Sequence, residues 1–203
     1  MIITLSGAPG SGKSTVAEAL VKTFNLKRYY IGQIRRDMAK AQGMKLEEFN
    51  KLGETEDWTD KIVDDYQKKI GQTEDNFLIE GRTSFFLIPR SLKIYLEVDL
   101  KTAAERIFKQ IQNTGGENRN EGQPTSVEEM FESLKNRVES DVKRYKKYYG
   151  VDILDPNHYD IFLDTGNLNP EEVIDVLSKK IVEYTKNHEK PTQAWHFPLN
   201  SVN

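Results

Sequence analysis

The sequence predicts a three-layer α/β fold, with a parallel sheet of five strands and helices on both faces. Three observations carry that expectation. Short apolar or β-branched runs alternate with segments of helical period, which implies right-handed crossovers and parallel strands. The runs near 1–5 and 76–82 are apolar enough to be buried on both faces. A Gly-rich stretch, residues 7–14, falls directly between the first strand and the first helix.

Taken in order, Met1-Ile2-Ile3-Thr4-Leu5 is the first strand, and Val16, Leu20 and Phe24, spaced four apart, mark the helix behind the Gly-rich turn. Lys27-Arg28-Tyr29-Tyr30-Ile31 has the β-branched and aromatic character of a second strand. A helix from Gly32 closed by Gly43, a segment 46–53 and a segment 55–71 follow as helical material. In the last of these, Ile62, Val63, Tyr66 and Ile70 form the expected buried stripe, with Asp57, Asp60, Asp64 and Asp65 outside it. Residues 76–82 make the third strand and 92–98 the fourth. A helix 100–112 follows, with Asp99 as its cap. The run 113–124 is too polar and Gly-rich to pack, and its length predicts a mobile lid. Ser126 caps a long helix to Tyr149, which Gly150 ends. The fifth strand is 159–164, and Asn169-Pro170 opens a last helix to about Asn187. The expected organisation is one domain over 1–187, with helices that bind the acceptor at about 33–72, a lid at about 113–126 and a tail at 188–203.

The Gly-rich stretch reads Gly7-Ala8-Pro9-Gly10-Ser11-Gly12-Lys13-Ser14, which meets G-x-x-x-x-G-K-[ST] in full and in the required strand–loop–helix context. A P-loop NTPase fold is therefore expected. Backbone N–H groups and the helix dipole converge at such a loop, so main chain from Gly7 to Thr15 can wrap a polyphosphate. Lys13 is placed to reach β- and γ-phosphates, and the Ser14 hydroxyl to ligate Mg²⁺. ATP or GTP with magnesium is the predicted ligand. Glu80 ends the third strand where such proteins keep a carboxylate for the metal or its waters, although a bare strand-end Glu reads the same way.

Composition narrows the remaining classes. The 203 residues suit one domain that needs no covalent staples, and the absence of cysteine excludes disulfides and thiolate chemistry. With 29 Lys and Arg against 32 Asp and Glu, the net charge is −3, so no general basic field recruits nucleic acid. No apolar run approaches the roughly 18 residues of a membrane span, and no signal core is evident. A cytoplasmic monomer is expected. The three histidines, His158, His188 and His196, lack metal spacing and receive no catalytic role.

Arginines then point to the acceptor. Arg36, or its neighbour Arg35, lies just beyond the second strand and Arg82 just beyond the third, at the sheet edge where ligands of parallel sheets gather. Two planar forks there could hold a second anionic group bidentately. On the long helix Arg137, Asp141 and Arg144 share a face flanking Met130, Leu134, Val138 and Tyr145. Two readings stand for that set: a surface ion-pair ladder, or arginines that neutralise a phosphoryl group in flight. Tyr145, Tyr148 and Tyr149 read as helix packing.

At this point the chain resembles the short, archaeal-type cytidylate kinases among the P-loop nucleoside monophosphate kinases, from Met1 to about Ile181. The stretches that carry the likeness are GAPGSGKSTVAEAL at 7–20, IGQIRRDMAKAQGMKLEEFNKL at 31–52, IEGR at 79–82, LKTAAERI at 100–107, RVESDVKRYKKYYGVD at 137–152 and YDIFLDTGNLNPEEV at 159–173. The resemblance implies that ATP phosphorylates CMP or dCMP with Mg²⁺ held at Ser14 and Glu80. It implies an acceptor phosphate on Arg36 and Arg82, and Lys13, Arg137, Asp141 and Arg144 at the transferred group. It also implies Arg106 on the donor adenine beside the loop at 165–167, and Asp60 and Asp64 in the acceptor site. Two positions depart: Gln33, where relatives often carry Asp, and Gln110, where they often carry a second arginine that Arg119 is placed to replace.

Overall fold

The structure is a computed structural model and describes residues 1–114 and 124–188. The predicted lid falls largely, and the tail from 189 wholly, outside the described residues, as does Arg119. In chain order the elements are β1 (Ile2–Gly7), α1 (Lys13–Phe24), β2 (Lys27–Tyr30), α2 (Ile31–Ala41), α3 (Leu46–Leu52), α4 (Trp58–Thr73), β3 (Phe77–Glu80), α5 (Ser84–Leu87), β4 (Leu92–Glu97), α6 (Leu100–Thr114), α7 (Val127–Tyr149), β5 (Ile161–Asp164) and α8 (Pro170–His188).

The five strands form one sheet of order β2-β3-β1-β4-β5, with every pairing parallel. β1 lies at its centre, buried at every residue, as its unbroken apolar character requires. One face of the sheet packs on α1 and α8 through Ile3, Leu5, Leu78, Leu96, Leu20 and Leu177. The other packs on α4 through Ile2, Phe77, Ile79, Val63 and Ile70, and on the end of α7 through Tyr95, Tyr145 and Tyr159. The alternation of Ile2 and Ile3 to opposite faces is the two-residue period of a strand buried between two layers.

Local chemistry sets the helix ends. Ser126 accepts the Glu129 N–H at the start of α7, and Gly150 ends it with φ +66°. Before α8, Asn169 Oδ1 accepts the Glu172 N–H at 2.9 Å while Glu172 Oε2 accepts the Asn169 N–H at 2.8 Å, a reciprocal cap ahead of Pro170. Asp99 Oδ1 accepts the Thr102 N–H at 2.9 Å, as predicted for α6. Two short pieces escaped the sequence reading: α5 and a 3₁₀ turn at Pro156–His158. Neither is long enough to display a helical period.

The buried face of α4 differs from expectation. Ile62 and Tyr66 are exposed, at 56% and 42%, whereas Asp60 and Asp64 are 2% and 3% exposed. The inward face is Thr59, Asp60, Val63, Asp64, Gln67 and Ile70. Polar side chains can occupy it because arginines and hydroxyls from other elements, and Gln67 of α4 itself, meet the carboxylates there, so burial leaves neither without a partner.

Candidate active site

The turn after β1 holds a conformation that side chains resist. Gly7 and Gly10 have φ of +151° and +75°. A Cβ on Gly7 would collide with the Leu96 carbonyl of β4, and one on Gly10 would come within 2.9 Å of the Ala103 backbone. Glycine is thus needed both for the dihedral angles and for the close approach of the loop to β4 and α6. Lys13 Nζ donates to the carbonyls of Gly7 at 3.0 Å and Ala8 at 2.5 Å, and Ser11 Oγ donates to the Ala8 carbonyl at 2.8 Å. These bonds hold the ammonium at the mouth of the loop.

Above the loop lies a cavity of about 630 Å³, large enough for nucleotide-sized ligands. Its wall includes Gly7, Pro9, Gly10, Ser11, Gly12, Lys13, Ser14 and Thr15 from the loop, Glu80 and Arg82 from the end of β3, and Arg36, Asp60, Asp64, Arg106, Arg137 and Asp141 from the helices. Nearly all the residues singled out in the sequence therefore converge. Ala8 is not part of that wall, because its side chain packs with Ala103 and Ile107 of α6. Arg144 is also absent from the wall: it is fully buried behind it, at 0% exposure.

Two carboxylates bind the arginines into one network. Asp60 accepts Arg144 Nη1 at 2.9 Å on both oxygens and Arg35 Nη1 at 2.7 Å. Asp141 accepts Arg82 Nε at 2.8 Å and Nη2 of Arg144. Of the set on α7, Asp141 and Arg144 belong to a buried network linking α2, α4, α7 and the turn after β3, which is not a surface ladder, whereas Arg137 is half-buried and lines the cavity. Burial opposes the charge on Asp141, yet Arg82, Arg144, Arg137 and Arg35 outweigh it and hold its carboxyl below the usual range. Burial pushes the Asp64 carboxyl upward, against hydrogen bonds from Tyr149 and Thr83. Burial and the neighbouring Arg144 charge lower the pKa of Arg35.

Arg106 Nη2 donates to the carbonyls of Thr165 at 2.8 Å and Gly166 at 3.1 Å, which ties α6 to the loop after β5. Arg82 Nη1 donates to the Gly7 carbonyl, so one guanidinium joins the Gly-rich loop to Asp141 on α7. Ser14 Oγ donates to Glu80 Oε2 at 3.0 Å. A hydroxyl and a carboxylate at the loop mouth are hard oxygen donors of the kind Mg²⁺ accepts when it arrives with phosphates.

Several participants were not assigned from sequence. Arg35, named there only as an alternative to Arg36, lines the cavity and donates Nε to Asn50 at 2.7 Å. Among the described residues its Nη2 is a buried donor with no protein partner. Gln67 Nε2 and Thr83 Oγ1 donate to Asp64 Oδ1 at 2.9 Å and 2.8 Å, and Tyr149 donates to Oδ2. Tyr149 thus does more than pack within its helix, and Tyr148 donates to the Gly53 carbonyl at 2.7 Å. Arg28 grips Glu80 from β2. Gln33 and Gln110 are exposed, with Gln33 donating to Asp37 at 2.9 Å and Gln110 at the cavity edge.

Sheet order, loop and arginine-lined cavity together define the class: a P-loop kinase. The family described as "AAA domain" (AAA_18) matches residues 3–125. Cytidylate kinase of Methanopyrus kandleri is 35% identical over 192 residues, covering 89% of this chain and 93% of the relative. Cytidylate kinase of Pyrococcus abyssi is 37% identical over 182 residues, with the same coverage of 89% and 93%. Among solved structures, shikimate kinase of Bacteroides thetaiotaomicron superposes with TM-score 0.60 at 13% identity, covering 90% of this chain and 98% of that one, a likeness of fold alone. The chain belongs to the cytidylate kinases. No helix among the described residues is long and apolar enough to cross a membrane.

Proposed function

We propose that the protein transfers the γ-phosphoryl group of ATP to CMP or dCMP, giving ADP and the nucleoside diphosphate. The observation that carries this reading is the convergence of Lys13, Arg36, Arg82 and Arg137 on one cavity above the loop. An acceptor phosphate oxygen attacks the γ-phosphorus in line, the new P–O bond forms, and the bond to the β–γ bridging oxygen breaks as ADP leaves. That oxygen is already anionic near neutral pH, so no side chain needs to act as general base. Positioning and charge neutralisation then dominate the rate.

Lys13 neutralises the β- and γ-phosphates, Arg36 and Arg82 hold the acceptor phosphate, and Arg137 meets the group in flight. Asp141 orients Arg82, and Asp60 with Arg144 braces the wall from behind. Ser14 and Glu80 would hold Mg²⁺, which supplies further neutralisation of the polyphosphate. Arg106 and the Thr165-Gly166 turn border the donor base, and Asp64 lies in the acceptor region.

The test is ADP release from ATP and Mg²⁺ with CMP, dCMP, UMP, AMP, shikimate or no acceptor at matched concentration. Stimulation confined to CMP and dCMP is expected. Stimulation by AMP or shikimate alone, or by nothing, overturns the acceptor assignment.

A further inference from the structure

Glu80 is 3% exposed, yet it sits beside the loop where a cation is expected, and one is already at hand. Arg28 on β2 places both Nε, at 2.8 Å, and Nη2, at 2.7 Å, on the same oxygen, Oε1. Nη2 also reaches the Ser14 carbonyl at 3.3 Å, and Ser14 Oγ donates to the other oxygen, Oε2. A closed ring thus joins β2, the end of β3 and the first turn of α1. The guanidinium is held in place from a second side, since its carbon lies 5.7 Å from the centroid of the Tyr30 ring. The same ring has Arg36 at 5.5 Å, and its hydroxyl accepts from Arg36 Nη1 at 2.9 Å.

We propose that Arg28 is a positioning residue that makes divalent-cation binding depend on nucleotide. It neutralises Glu80 and takes Oε1, leaving only Oε2 turned toward Ser14. A buried carboxylate without a counter-charge attracts whatever cation can enter. With Arg28 on it, the bare pair presents no net charge, so a metal ion gains little there until phosphate oxygens add their own charge and ligands. The proposal rests on the reading of Ser14 and Glu80 as the metal site.

Mn²⁺, whose preference for oxygen ligands matches that of Mg²⁺, serves as the probe, with the free ion followed by its paramagnetic signal. Arg28→Met in the nucleotide-free protein should bind Mn²⁺ at least about tenfold more tightly than wild type. Arg28→Lys, which restores the charge, should return to wild-type weakness, and adding Glu80→Gln to Arg28→Met should abolish the gain. Arg28→Gln, which keeps a hydrogen-bond donor without charge, replaces the Met variant if that variant does not fold. No gain in either uncharged variant, or a gain that survives Glu80→Gln, overturns the proposal. A merely structural Arg28 would alter melting temperature without altering Mn²⁺ affinity. Mn²⁺ binding in the presence of ATP separates the two levels: if Glu80→Gln alone leaves it unchanged, the metal-site reading itself fails.

Discussion

Lys13 is held by two loop carbonyls in the structure, 3.0 Å from Gly7 O and 2.5 Å from Ala8 O, at the mouth of the loop where the proposed mechanism puts the transferred group. Lys13→Ala should lower kcat by about 10²- to 10³-fold, the range for loss of one preorganised charge on a transition state, with an intact circular-dichroism spectrum. Near-normal turnover would remove the loop from the mechanism. Asp60 and Asp64, grouped together in the sequence, separate chemically. Asp60 is consumed by Arg35 and Arg144, so it acts through them. Asp60→Asn should reduce kcat/KM for CMP and UMP by the same factor. Asp64 fixes three donors at the cavity wall beside Val63, and Asp64→Asn should instead narrow the CMP-to-UMP ratio, by about tenfold. Acceptor-dependent kinetics on both variants distinguish these outcomes.

Helix α7 is the element that joins the Gly-rich loop, through Arg82, to α4. Asp141 receives Arg82, which also bonds the Gly7 carbonyl, and Arg144, which also bonds Asp60. Removing the Asp141 charge leaves Arg144 with Asp60 alone and takes the carboxylate from partly exposed Arg82, so Asp141→Asn should cost about 3 kcal/mol of folding stability at pH 7, the low end for a broken buried pair. The folded pKa of Asp141 lies below its unfolded value. Its contribution is therefore present above about pH 4 and is lost as pH falls through the lowered folded value. The gap between melting curves of wild type and Asp141→Asn should begin to close below about pH 4 and keep closing as pH falls toward the lowered folded value; a constant gap would mean that the lost stability has a source other than charge. The turn after β1 is similarly strict, and Gly7→Ala should weaken ATP binding, because a Cβ there meets the Leu96 carbonyl and displaces the loop.

Viewed whole, a protein of net charge −3 carries a cleft whose wall holds Arg35, Arg36, Arg82, Arg106, Arg137 and Lys13 against Asp60, Asp64, Glu80 and Asp141. Long-range attraction cannot come from the molecule's total charge; it must come from the local field of the cleft. Raising ionic strength from about 0.05 M to 0.5 M should therefore lower kcat/KM for CMP several-fold while leaving kcat nearly constant. A salt-insensitive KM would mean that the arginines are internally compensated and contribute little to capture of the acceptor.

Much of this is legible in the amino-acid sequence. The period of Val16, Leu20 and Phe24, the apolar strands, Ser126 with Gly150, and Asn169-Pro170 are local signals, set by the chain within a turn or two of where they act, and the elements follow them closely. The loop motif is legible for the same reason: its glycines and lysine are contiguous. Arg28 and Glu80 are 52 residues apart and read as unrelated. They meet because parallel pairing sets Arg28 opposite Leu78 and Tyr30 opposite Glu80, making Arg28 and Glu80 diagonal neighbours on one sheet face. The inward turn of Asp60 and Asp64 was equally hidden, since a hydropathy pattern scores a carboxylate as solvent-facing unless its partners are known, and those partners come from α2, the turn after β3 and α7. Charge at a buried site depends on register and packing between distant segments, whereas helix, strand and phosphate loop depend on neighbours in the chain.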